Sequence, residues 1–226
     1  MSILLYYLMD EEFKRYTLPA TAVDLVLFSL QADDIKVGLI RRSEDPYKGS
    51  YVLPGRFVRY EEKIEDTARI ALEEKGKLDA KSVKLEQLYT FGQDLHRDTR
   101  VRTISIVYYG VLPTDKFQEG TLEWFSLYEL PKMGFDHKAI VLYAHERLKN
   151  KVLWDEFAFS FLPKEFTLSE LQRIYELVLD KELDKRNFRK KIVEIKGLKK
   201  TAKSKVEGVH RPAALYIYSS SRKSLI

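Results

Sequence analysis

The chain contains no cysteine, so it forms no disulfide and offers no thiol nucleophile. A zinc ion would find only four histidines and the carboxylates. No apolar run approaches the roughly 20 residues that span a bilayer. The opening segment, MSILLYYLMDEEFKRY, lacks both the basic start and the small-residue cleavage site of a signal peptide. Internal repeats and low-complexity stretches are missing too. These absences lead us to expect a soluble, cytoplasmic protein with no membrane association. What is present is ordinary globular composition: 226 residues, 45% of them apolar, enough for one large domain or two modest ones.

Charge is unevenly spread. Residues 163–226 carry 16 Lys+Arg against 8 Asp+Glu, a net of +8. Residues 1–162 carry 23 against 26, a net of −3. A near-neutral body with a basic C-terminal quarter implies two domains, one of which meets a polyanion. We place them at 1–152 and 153–226.

In the first domain, residues 23–30 and 36–41 read as strands around a polar turn, and residues 50–58 as a strand-loop bent at Pro54 and Gly55. A helix is expected over 62–75, with Ile64, Ala68, Ala71 and Leu72 on its core face. Further strands are expected at 84–91, 103–112 and 121–125. A second helix, 137–149, has Ile140, Val141, Ala144 and Leu148 at helical spacing.

In the second domain, Thr167-Leu168-Ser169-Glu170 is a capping box, followed by an apolar stripe of Leu171, Ile174, Tyr175 and Val178. Asp184 can cap a second helix, KRNFRKKIVEI, with Phe188, Ile192 and Ile195 inward and Gly197 as its stop. Two short helices joined by a tight turn make a helix-turn-helix. The following KKTAKSKV-EG-VHRPAALYIY reads as a two-stranded wing around Glu207-Gly208. Between Lys185 and Lys205 ten basic residues face one acid, Glu194. A solvated basic helix would share that composition, but the helix-turn-helix spacing favours DNA. The second helix would then enter the major groove. The candidate DNA-binding residues are Thr167 and Ser169 at a helix N-terminus, Lys185, Arg186, Asn187, Arg189 and Lys190 on the second helix, and Lys203 and Arg211 in the wing.

Residues 53–78, LPGRFVRYEEKIEDTARIALEEKGKL, resemble the Nudix box of enzymes that cleave nucleoside diphosphates linked to another group. That signature reads G-x5-E-x7-R-E-U-x-E-E-x-G-U, with U aliphatic. Aligned by LPG-x-FV, Arg56 stands at the first glycine, Glu62 at the first glutamate, and Leu72 and Leu78 at the aliphatic positions. The metal-binding carboxylates belong at 71, 74 and 75, which share one helical face; the chain has Ala71, Glu74 and Lys75. A slipped register uses Gly55, Glu61, Arg69, Glu73, Glu74 and Gly76, but it puts Ile70 on the third carboxylate position and Ala71 and Lys77 on the aliphatic positions. At least one carboxylate is missing either way, two in the preferred register, so no catalytic or metal-binding residue is assigned. An ordinary amphipathic helix would present the same apolar face.

Taken together, VDLVLF, IRRSEDPYKGSYVLPGRFVR, LEQLYTFG, RDTRVRTISIVYYG, FDHKAI, FTLSELQRIYE, LDKRNFRKKI and HRPAALYIY resemble the Nudix-related transcriptional regulators. That family includes the repressor of NAD metabolism and an arabinose-responsive branch. The resemblance implies an α+β chain: a Nudix-like α/β/α sandwich followed by a winged helix-turn-helix. It also implies a homodimer on a palindromic double-stranded operator, and a pocket for ADP-ribose or a pentose. Arg56, Arg59, Glu62, Glu74, Arg100 and Arg102 are the candidate effector-binding residues. The Arg97–Arg102 loop reads equally well as a salt-bridge cluster around Asp98, and His137 as a helix-start contact. No cofactor is expected, and Mg2+ only if the chain is instead a hydrolase of ADP-ribose or another nucleotide sugar working through Glu73 and Glu74. A single-strand RNA binder is a third alternative.

Overall fold

The computed structural model describes residues 18–116, 120, 122–154, 156–206 and 212–219. Strands β1 (Ala20–Gln31) and β2 (Asp34–Arg41) form an antiparallel hairpin. Its turn residues, Ala32 and Asp33, both have positive φ (48° and 62°), the arrangement that carries the strand twist through a two-residue turn. β1 also runs parallel to β6 (Thr103–Leu112), whose other edge takes β5 (Lys84–Phe91). The short strands β3 (Tyr51–Val52) and β7 (Glu123–Ser126) pair with β2, and β4 (Gly55–Phe57) pairs with β1.

Alternation along β1 divides its apolar residues between two faces. Val23, Leu25 and Leu27 pack with Ala68, Ala71 and Leu72 of helix α1 (Ile64–Glu74). Val26 and Phe28 pack with Ile140, Val141 and Ala144 of helix α2 (His137–Trp154). The result is the expected α/β/α sandwich.

The C-terminal part begins with a 3-10 turn (Glu156–Phe161) and β8 (Phe166–Thr167), neither of them evident in the sequence. Helices α3 (Leu168–Leu179) and α4 (Lys185–Ile192) follow, then wing strands β9 (Leu198–Lys205) and β10 (Ala213–Tyr218). Both expected caps form. Thr167 Oγ1 accepts from Glu170 N–H at 3.1 Å while Glu170 Oε2 accepts from Thr167 N–H at 2.6 Å, and Asp184 Oδ1 accepts from Asn187 N–H at 2.8 Å.

Gly197 does not stop the second helix. α4 ends at Ile192, and shorter i→i+3 bonds, Glu194 N to Lys191 O and Ile195 N to Ile192 O, tighten the chain beyond it. Gly197 (φ +93°) instead turns the chain into β9, where a side chain would strike the Ser219 carbonyl. The Glu207-Gly208 turn, His210 and Arg211 lie outside the described residues.

Leu171, Ile174, Val178, Phe188 and Ile192 continue the α2-side cluster, so one core runs from the sandwich into the winged helix. Among the described residues no helix is long and apolar enough to cross a membrane.

Candidate functional site

A cavity of about 340 Å3 opens between β4, the start of α2 and the ends of β2 and β6. Its floor is Asp24, buried, accepting a hydrogen bond from Ser105 Oγ. Gly55 crosses directly over it; a Cβ there would lie 2.6 Å from the Val23 carbonyl oxygen, so no larger residue fits.

His137, the first residue of α2, also faces the cavity. Its Nδ1 accepts the Leu53 N–H at 2.9 Å, which places the ring proton on Nε2, 3.9 Å from Asp24 Oδ1. Burial holds the His137 pKa below its ordinary value against the opposing pull of Asp24 and Asp136, so the ring is neutral. This is the helix-start contact expected of His137.

The walls are cationic. Arg97 is fixed by two 2.8 Å bonds to Asp136, and Arg100 by bonds of 3.0 and 2.8 Å to Asp98. The 97–102 loop is therefore a salt-bridge cluster and a cavity wall at once. The Arg100 guanidinium lies 5.5 Å from the centre of Phe57 and 5.7 Å from that of Phe135, and Arg42 lies 5.1 Å from Phe135. Arg41 and Lys75 complete the positive lining.

The box helix borders this cavity. Leu72 and Leu78 are buried and Lys77 is exposed with φ +54°, in the left-handed region where the signature carries glycine. That geometry fits the register with Leu72 and Leu78 on the aliphatic positions. The Arg56 guanidinium bonds Glu62 Oε1 at 3.1 Å and approaches Glu74 Oε2 at 3.9 Å. Desolvation opposes ionisation of Glu62. The Thr67 hydroxyl, the Arg59 N–H and the charges of Arg56 and Arg59 outweigh it and hold the carboxyl below its ordinary pKa.

Of the expected effector residues, Arg56 and Arg100 line the cavity, while Glu62 and Glu74 stand behind Arg56. Two lie elsewhere. The Arg59 side chain is 76% exposed and leans on Glu62 at 3.8 Å. Arg102 is exposed, because alternation at the start of β6 turns Thr103 inward instead. Sequence reasoning missed Asp24, Arg42, Phe57 and Phe135. The run IRRSEDPYKG held Arg42 in plain view, and Lys75, the cation at a box position, does line the cavity.

The second region lies on the winged helix, in a groove lined by Thr167, Ser169, Lys185, Arg189, Lys205 and Tyr216. Lys185, Arg186, Asn187, Arg189 and Lys190 are all exposed on α4, held there by buried Phe188 and Ile192. Thr167 is buried with its hydroxyl committed to the capping box, which leaves Ser169 as the exposed hydroxyl; Arg189 Nη2 donates to it at 3.4 Å. Lys203 is less free than its sequence position implies. Its Nζ donates to both Glu165 oxygens at 2.9 and 3.1 Å, and Lys205 pairs with Glu170 at 2.8 Å.

The two regions are physically joined. Tyr128 Oη donates to Leu177 O at 2.8 Å, His145 Nε2 lies 3.3 Å from Val178 O, and Arg173 pairs with Asp33 at 2.6 Å. α2 thus begins at the cavity with His137 and reaches the C-terminus of α3 with His145.

Comparison with known proteins agrees with this two-part layout. Residues 158–218 match the NrtR DNA-binding winged helix domain. The ADPR responsive transcriptional repressor NtrR of Acinetobacter baylyi is 32% identical over 222 residues, covering 94% of this chain and 87% of the relative. The chain belongs to the NrtR family of transcriptional regulators. NrtR of Shewanella oneidensis, solved with a 27mer DNA, superposes with a TM-score of 0.79 at 30% identity, covering 88% of this chain and 93% of that one. The Nudix domain of the same protein, solved with ADP ribose, gives a TM-score of 0.51 at 27% identity over 66% of this chain and 99% of that one. An ADP-ribose pyrophosphatase of Methanocaldococcus jannaschii is 33% identical over 135 residues, 58% of this chain and 76% of the enzyme. The sandwich followed by a winged helix is therefore the NrtR architecture.

Proposed function

We propose that this chain is a DNA-binding transcriptional repressor whose Nudix-like domain (1–152) senses ADP-ribose and whose winged helix (153–226) binds the operator. The observation that carries the reading is α4. It exposes Lys185, Arg186, Asn187, Arg189 and Lys190 together, in a chain similar over 94% of its length to an ADPR responsive repressor. Lysines and arginines there neutralise phosphates, and Asn187 and Arg186 sit near the N-terminal end of α4, where a recognition helix meets base edges. The protein acts as a homodimer on a palindrome, in the cytoplasm, on genes of NAD metabolism or sugar use.

The cavity favours ADP-ribose over a pentose. Arg41, Arg42, Arg56, Lys75, Arg97 and Arg100 outnumber Asp24, Glu44 and Asp98 along its lining. A neutral sugar makes no use of that excess, whereas a diphosphate does. Binding there biases the winged helix through α2, which starts at the cavity with His137 and meets the end of α3 midway along, at His145.

Turnover is not part of this function. Hydrolysis calls for acidic ligands on one helical face to hold Mg2+ and activate water, and two of the three positions carry a methyl group and an ammonium. The similarity to the M. jannaschii pyrophosphatase favours a second reading, a working hydrolase that uses Glu73 and Glu74. Arg186→Ala and Asn187→Ala test the first reading. Both side chains are exposed, so each variant should keep its melting temperature and lose operator affinity; unchanged affinity in both means another element reads the DNA.

A further inference from the structure

We infer that Arg56 replaces the divalent cation of the Nudix box, a built-in positive charge that lets this cavity take a diphosphate directly, without a metal ion. The inference rests on reading the cavity as an ADP-ribose sensor and adds how the anion is held.

Four observations converge. Arg56 lies on β4 opposite Val23 of the central strand, so its backbone is fixed, and its side chain is only 10% exposed. Its guanidinium is held by Glu62 and Glu74, the two box carboxylates that remain. The other two acidic positions hold Ala71, buried under the helix, and Lys75, on the cavity wall. Finally, Glu62 is kept ionised by Thr67, Arg59 and Arg56, as an ion-pair partner rather than a free ligand.

The donor set therefore does not fit Mg2+. A hard cation needs several oxygen ligands, and here the available carboxylates already face a guanidinium, with a second cation beside them. An anion fits better. Arg56 and Lys75 balance Glu62 and Glu74, and the remaining lining, Arg41, Arg42, Arg97 and Arg100 against Asp24, Glu44 and Asp98, leaves a net charge of +1. A guanidinium has five N–H donors in a planar fork, and among the described residues Arg56 spends one on a hydrogen bond to Glu62. The remaining donors suit phosphate oxygens.

The test uses the full chain. Calorimetric titration with ADP-ribose should give the same affinity in EDTA and in excess Mg2+, within about twofold. Arg56→Gln should weaken the EDTA affinity by about tenfold or more, and Arg56→Lys should keep most of it. A single cooperative melting transition and retained effector-free operator binding show that Arg56→Gln is folded, even where the lost pair with Glu62 lowers its melting temperature. Added Mn2+ should keep the electron paramagnetic resonance spectrum of the free ion, since nothing captures it. Affinity that rises about tenfold with Mg2+, captured Mn2+, or an Arg56→Gln protein that binds normally in EDTA overturns the inference while leaving the sensor reading intact. Inorganic pyrophosphate separates the two claims. If it raises the melting temperature of the wild type in EDTA, but not of Arg56→Gln, while ADP-ribose does not bind, Arg56 keeps its role and the ADP-ribose reading falls. If neither ligand binds in EDTA, the inference fails.

Discussion

Replacing Lys185 by glutamine removes one exposed cation from the first turn of α4 and leaves its buried anchors, Phe188 and Ile192, in place. If α4 and its neighbours neutralise about six phosphates, log affinity falls with log salt at a slope of about −5. Between about 50 and 200 mM salt that slope is worth roughly a thousandfold in affinity. Losing one contact in each protomer of a dimer takes about 1.8 off the slope, so the same salt interval should cost Lys185→Gln only about a hundredfold. Lys203→Gln is the internal comparison. Because Lys203 already pairs with both Glu165 oxygens, its loss should change the slope less than the loss of Lys185 does. Fluorescence anisotropy of a labelled duplex across a salt series measures both. A Lys185→Gln slope equal to wild type, or a larger change in Lys203→Gln, would refute the placement of α4 against the phosphates.

Phe188→Ala should destabilise the protein by about 3–5 kcal/mol. Phe188 is buried edge-on against Tyr175 at 5.3 Å, in a core shared with the sandwich, so urea denaturation should show one shifted transition rather than two. Stability should also fall on acidification. Burial holds His137 and His145 below the ordinary histidine pKa, so the unfolded chain binds more protons once pH drops below about 6.5. Each histidine then contributes a loss of at most about 1.4 kcal/mol per pH unit, and His145→Gln should flatten the decline. Melting temperatures that stay constant between about pH 8 and pH 5 would contradict this sign. Incubation with ADP-ribose and Mg2+ should release no AMP above background. A Mg2+-dependent release that Glu74→Gln abolishes would establish the hydrolase instead.

What the sequence made legible was mostly local. The capping box at Thr167 and the cap at Asp184 depend on residues within one turn, and both form as read. Strands 84–91 and 103–112 show their full extent because their ends are marked by polar breaks. The box register is legible too, since Leu72 and Leu78 must both be buried. The cavity was less so. Asp24, Arg42, Phe57, Lys75 and Phe135 come from separate elements, and only the fold of β1 against β4 and the start of α2 gathers them. Arg100 and Arg102 look alike in the sequence, and the Asp98 bond and the strand alternation separate them. The 3-10 turn at Glu156–Phe161 was hidden because a short aromatic run reads equally well as strand, turn or buried helix. Thr167 has two uses in a helix-turn-helix, and its capping bond decides between them.

In this reading one chain couples ADP-ribose to an operator. The most direct measurement is titration of the full chain into a duplex from its own upstream DNA, with and without ADP-ribose. NAD and a pentose serve as controls. A coupling of roughly 1–3 kcal/mol, about 5- to 150-fold in operator affinity, is expected for ADP-ribose and not for the pentose. Tight duplex binding that ADP-ribose leaves unchanged would contradict the account, and a preference for single-stranded RNA over the duplex would replace it.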